Sequence, residues 1–181
     1  MTWSTSDPDE DQLAHSIYLK PAGETAFRLL AEQVVAPPWA LDDAGLSEGR
    51  YVLKVTASDA PTNGSQRSLA GQDISDPFTV DHTPPKLSVK PAALAGGRTV
   101  AEVTAVDGNG AIAKGEFTVE GDGGGPKPLP CRDGICDTAN ESFLLDLPES
   151  ASGRKITVKV YDAAGNSSTA EIAGESRKGG G

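Results

Sequence analysis

Four turns of the 181-residue chain concentrate side-chain oxygen. They are "LDDAGLSEG" with Asp42 and Asp43, "VDHTPP" with Asp81, "VDGNGA" with Asp107 and Asn109, and "YDAAGN" with Asp162. Carboxylates and amides are the hard oxygen ligands that Ca2+ takes, and a site forms where several of them converge. Asp and Asn also make turns on their own account, and the turn-forming reading is the simpler one. Asp7, Asp9 and Asp11 in "SDPDED" pose the same choice between a cation loop and a solvated acidic turn. An EF-hand is a poor reading of "DGNGAI". The twelfth position counted from Asp107 is Thr118, where that loop needs an acid, so Gly108 and Gly110 are read as shaping a hairpin.

Other constellations are sparse. Cys131 and Cys136 enclose "RDGI" with no histidine nearby, too few ligands for zinc. Two readings remain: a disulfide across a tight loop, which suits a secreted protein, or two reduced thiols in the cytosol. The disulfide is preferred on the compartment argument. His15 and His82 are the only histidines. No Gly-x-Ser-x-Gly, HExxH, Walker loop or Cys/His dyad occurs, and catalysis needs a converging pocket, so no enzyme and no catalytic residue is expected. The formal net charge of −10 disfavours nucleic acid and anionic membranes, because both need Lys and Arg against phosphate. No apolar run approaches the length of a membrane-spanning helix, and the polar start "MTWSTSDPDED" is not a signal peptide. The chain therefore reads as either a cytosolic protein or an excised piece of a longer secreted one, and the strand pattern favours the piece.

The elements that must position these turns are strands. Gly (21) and Pro (13) are frequent, a balance that favours short strands and many turns. "RYVLKVTASD" alternates Tyr51, Leu53, Val55 and Ala57 against Val52, Lys54, Thr56 and Ser58. "RTVAEVTAVD" sets Ala101, Val103 and Ala105 on one face, and "RKITVKVYD" points Ile156, Val158 and Val160 inward. Period-2 alternation of this kind marks half-buried strands, and their recurrence at short spacing points to an all-β sandwich. "AHSIYLK" places His15 beside Ile17 and Leu19. "KVTASDAPTNGS" and "KVYDAAGNSS" form a weak internal repeat, strand then Asp then a Gly/Asn turn, consistent with two copies of one architecture. Between the halves, Pro84 and Pro85 cannot donate ladder hydrogen bonds and make a short stiff connector.

"TWSTSDPDEDQL", "GRYVLKVTASDAP" and "SDPFTVDHTPP" resemble the fibronectin type III-like and Ig-like modules of secreted bacterial proteins. "DGICDTANESFLLDLP" followed by "KVYDAAGNSS" resembles a bacterial Ig-like module with "DxAGN" at its last hairpin. The resemblance covers about residues 3 to 173. It implies two consecutive Ig/fibronectin III-like β-sandwich domains: a fibronectin-like module at 1–82, an Ig-like module at 83–173, and a disordered tail at 174–181. Trp3 stands so near the start that the first module is expected to lack its N-terminal strand and to leave an unpaired sheet edge for another domain of a parent protein or a neighbouring chain. Trp3 and Trp39 are expected in the core, and Tyr51 in a tyrosine corner. The topology further implies that Asp42, Asp43, Asp81, Asp107, Asn109 and Asp162 gather at the domain junction, where they could bind Ca2+. The expected function is a non-catalytic spacer, adhesion or assembly element, secreted or on the cell surface. The alternatives are a carbohydrate- or calcium-binding module, with a surface glycan as a further partner, and an accessory domain of a secreted hydrolase.

Overall fold

The computed structural model of the chain describes residues 1–95, 98–148, 151 and 153–173; the expected tail at 174–181 lies outside the described residues. The fold is all-β, and each strand pairing among the described residues is antiparallel. The contacts divide the chain into two compact units, Met1–Val80 and Asp81–Gly181.

Unit 1 contains β1 (Ala14–Pro21), β2 (Arg28–Val34), β3 (Gly49–Ser58), the one-turn helix α1 (Ala60–Asn63), β4 (Ala70–Ile74) and β5 (Phe78–Val80). They form one sheet in the order β2-β1-β3-β4, with β5 also on β3. The alternating pattern puts His15, Ile17 and Leu19 of β1 on the buried face. Ile17 and Leu19 make a small core with Tyr51, Leu53 and Val80, against which Met1, Trp3, Trp39 and Leu46 pack partly buried. Among the described residues this face is covered by those non-strand segments rather than by a second sheet. The Tyr51 hydroxyl donates to Ser47 O at 2.9 Å and ties the preceding turn to its own strand.

Unit 2 contains β6 (Lys86–Ala95), β7 (Arg98–Val106), β8 (Ile112–Val119), β9 (Lys127–Leu129), β10 (Asn140–Leu147), β11 (Lys155–Asp162) and β12 (Ser167–Ala173). Two sheets, β10-β7-β6 and β12-β11-β8-β9, face each other across one core. Ala101, Val103 and Ala105 of β7 and Phe143, Leu145 and Leu147 of β10 meet Ile156, Val158 and Val160 of β11. Gly115 makes room for the largest of them: a Cβ there would lie 2.7 Å from the Phe143 ring and 3.0 Å from Leu129 O. Cys131 and Cys136 are disulfide-bonded, and Cys131 is buried beside Phe143, with which it forms an isolated bridge. Pro85 is fully buried in this unit while Pro84 is exposed, so only one of the two connector prolines faces solvent.

The five-stranded sheet of unit 1 and the four-stranded sheet of unit 2 share one pairing order along four strands: β2-β1-β3-β4 and β9-β8-β11-β12. The repeat seen in the sequence falls on equivalent turns, after β3 and after β11.

Candidate metal centre

One end of unit 2 collects the segment entering β6, the β7–β8 turn and the β11–β12 turn. The registers fix this: Lys86 pairs with Val106, Ile112 with Asp162, and Tyr161 with Ser167. Each of the three segments brings one aspartate. Asp81, Asp107 and Asp162 are 6%, 5% and 3% exposed, and a carboxylate oxygen from each lies within 4.8 Å of the others.

Hydrogen bonds aim these groups. Asp107 Oδ1 accepts from the backbone N–H groups of Asn109 and Gly110, both at 2.7 Å. Asp81 Oδ1 accepts from Thr83 N at 2.9 Å and from Asn109 Nδ2 at 3.2 Å. Asp162 Oδ1 accepts from Asn166 N at 2.8 Å, and Asp162 Oδ2 from Asn166 Nδ2 at 2.9 Å. Asn166 Nδ2 also reaches Asp81 O at 2.9 Å, clamping the entering segment onto the β11–β12 turn. These bonds leave two atoms over. Asp81 Oδ2 and Asp107 Oδ2 are buried and have no hydrogen-bond partner among the described residues. Gly110 lies beside them: a Cβ there would be in ordinary contact with Asp81 Oδ2, at 3.6 Å.

Buried carboxylates without partners carry a desolvation cost and repel one another, and no Lys or Arg ion pair among the described residues reaches them. A hard cation resolves all three difficulties, since it pairs with orphaned oxygens, neutralises the cluster and suits an all-oxygen donor set.

Glu141 braces the same end from β10. Its carboxylate accepts from the Thr138 hydroxyl at 2.7 Å, Thr138 N at 2.9 Å and Asp137 N at 3.3 Å. The turn so held offers Ala139 O to Asp107 N and Thr138 O to Ile112 N, each at 2.8 Å. The Thr138 hydroxyl, joined by the two amides, holds the Glu141 carboxyl below the usual glutamate range, outweighing the burial that would raise it. A lowered folded pKa gives stability that is present above the unfolded value, about 4.3, and lost as pH falls through the folded one. Glu141→Gln is therefore expected to cost about 1 kcal/mol at neutral pH. Its melting temperature should fall less steeply than that of the parent protein as pH is taken below about 4.3. Parallel acid limbs in the two proteins would contradict this account.

The other expected ligands lie elsewhere. Asp42 and Asp43 are exposed in unit 1, where Asp42 Oδ1 accepts from Ala44 N at 3.1 Å, a turn-making bond. Asn109 directs its amide N–H at Asp81, so it positions a carboxylate. A second acidic group, Asp7, Asp11 and Asp59, sits in unit 1. Asp9 of the "SDPDED" run is not in it, and Asp59 enters from the turn after β3. Here donors meet the oxygens: Asn63 Nδ2 bonds Asp11 Oδ2 at 2.6 Å and Asp59 Oδ2 at 2.9 Å, while Leu69 N bonds Asp59 Oδ1 at 2.7 Å. The Asp59/Asn63 pair repeats the Asp162/Asn166 pair, and its four-residue spacing is the signal that could have identified Asp59 in the sequence. His15 is enclosed in unit 1, donating through Nδ1 to Val34 O and hydrogen-bonded through Nε2 to the Thr5 hydroxyl. No described helix is long and apolar enough to cross a membrane.

No family model, curated protein or solved structure matches the chain.

Proposed function

We propose that the chain is a non-catalytic, extracellular pair of Ig/fibronectin III-like modules from a larger secreted or surface-attached bacterial protein. In this reading it acts as a spacer, adhesion or assembly element, and Asp81, Asp107 and Asp162 hold a calcium ion in the second module. The observation that carries the calcium reading is the pair of buried, unpartnered oxygens, Asp81 Oδ2 and Asp107 Oδ2, inside a three-carboxylate cluster. The two facing antiparallel sheets of unit 2 support the module reading, and the disulfide supports an oxidising compartment.

The role of the ion is mechanical. It ties the connector at Asp81 to the turns at Asp107 and Asp162, so the chain enters β6 from a fixed direction. A cation that binds only the folded state adds about 2.7 kcal/mol at a hundredfold excess over its dissociation constant. Melting the full chain in chelator, in millimolar CaCl2 and in NaCl of equal ionic strength tests this. The expected result is a rise in CaCl2 alone, on the order of 10 °C for a unit of this size. Coincident curves in all three would exclude the ion.

A further inference from the structure

Unit 1 has a cleft of about 610 Å³. One wall is the Thr2–Pro8 segment, and the other is formed by Val55 and Ala57 of β3, Leu69 just before β4, and Ala70 to Asp73 of β4. Leu69 is 76% exposed, and every residue of β4 is exposed. Among the described residues β4 pairs with β3 alone, so its outer edge keeps unpaired backbone groups.

Unit 2 indicates what fills such a place. Its sheet of the same pairing order has β12 where unit 1 has β4, and β12 is closely approached by β6 of the facing sheet, which packs beside it without pairing to it, so it shows the kind of side chains such a place takes. Strand β6 begins Lys-Leu-Ser-Val-Lys; Leu87 and Val89 pack against the core, and Lys86 and Lys90 flank them exposed. The cleft of unit 1 is lined by Asp7, Asp59 and Asp73, whose charges complement such a strand. Trp3 also lines it, and the indole N–H of Trp3 is buried without an acceptor, which the carbonyl of an inserted strand would supply.

We propose that this cleft receives an extended segment of a different polypeptide, in which alternating aliphatic residues are flanked by lysine or arginine. The strand runs beside β4, its apolar side chains meet Val55, Ala57 and Leu69, and its basic residues meet the acids. Backbone pairing supplies affinity and the alternating side chains supply register. The inference is independent of the calcium reading, since every residue that lines the cleft belongs to unit 1.

The test is fluorescence anisotropy of a dye-labelled peptide with the sequence of Lys86–Ala95, titrated with the full chain in chelator. Binding is expected, and it should weaken at least tenfold when the peptide's first leucine and its valine are changed to serine or its lysines to glutamate. Asp73→Lys and Leu69→Ser, both at exposed positions that the fold tolerates, should each weaken it severalfold. No binding, or equal binding of all three peptides, would overturn the proposal. So would light scattering that shows copies of the chain associating through this face regardless of peptide, because the occupant would then be a second copy.

Discussion

Asp107→Asn is expected to raise the melting temperature of the cation-free protein and to abolish its rise with calcium. The side chain is isosteric, and its Oδ1 can still accept from Asn109 N and Gly110 N, which build the turn. What changes is the buried atom with no partner. An amide N–H replaces Oδ2, removes one of three clustered negative charges and offers a donor to the neighbouring carboxylates. Breaking a hydrogen-bonded buried charge ordinarily destabilises, so a gain would be diagnostic of repulsion awaiting a cation. The calcium-dependent part, about 2.7 kcal/mol at a hundredfold excess over the dissociation constant, should vanish in the variant. Thermal unfolding of both proteins in chelator and in CaCl2 reads both signs. A variant less stable than its parent in chelator, with its calcium response intact, would mean that Asp107 only makes a turn.

Phe143→Ala is expected to destabilise unit 2 by about 3 to 5 kcal/mol, the range for emptying a fully buried aromatic site. Phe143 is 0% exposed and shares its core with β7, β11 and the disulfide. The site is poorly able to collapse, because the ring lies against Gly115, which has no side chain to move into the void. Phe143→Leu, which keeps much of the volume, should lose far less. Urea denaturation gives both values from the shift in midpoint at constant slope. A loss under 1 kcal/mol for the alanine variant would mean that the sheets of unit 2 close over the gap.

The strands were legible where one face is buried and the alternation is clean. Ile156, Val158 and Val160 of β11 are buried as their period predicts, and the alternation of β7 resolves into a buried face with Ala101, Val103 and Ala105. Unit 1 was harder to read. Residues 35–48 carry Trp39 and Leu46 but form no strand, and whether such a segment joins a sheet depends on partners elsewhere in the fold rather than on its own pattern. The aspartates at 81, 107 and 162 were visible because each follows or precedes a strong strand. Asp42 and Asp43 were grouped with them by analogy of topology, and the structure leaves both exposed in unit 1. Asp59 stands in the repeat "KVTASDAPTNGS", where Asn63 four residues on is the mark it shares with Asp162 and Asn166. The orphaned oxygens could not be read from sequence, since they exist only as what is left when the amides of Thr83, Asn109, Gly110 and Asn166 have chosen their acceptors.

Isothermal titration of CaCl2 into the chelator-treated full chain, beside the Asp107→Asn variant, measures the ion itself. The three-carboxylate centre predicts one calcium equivalent taken up by the parent protein and missing from the variant. Superimposable isotherms for the two proteins, or no uptake by either, would contradict it.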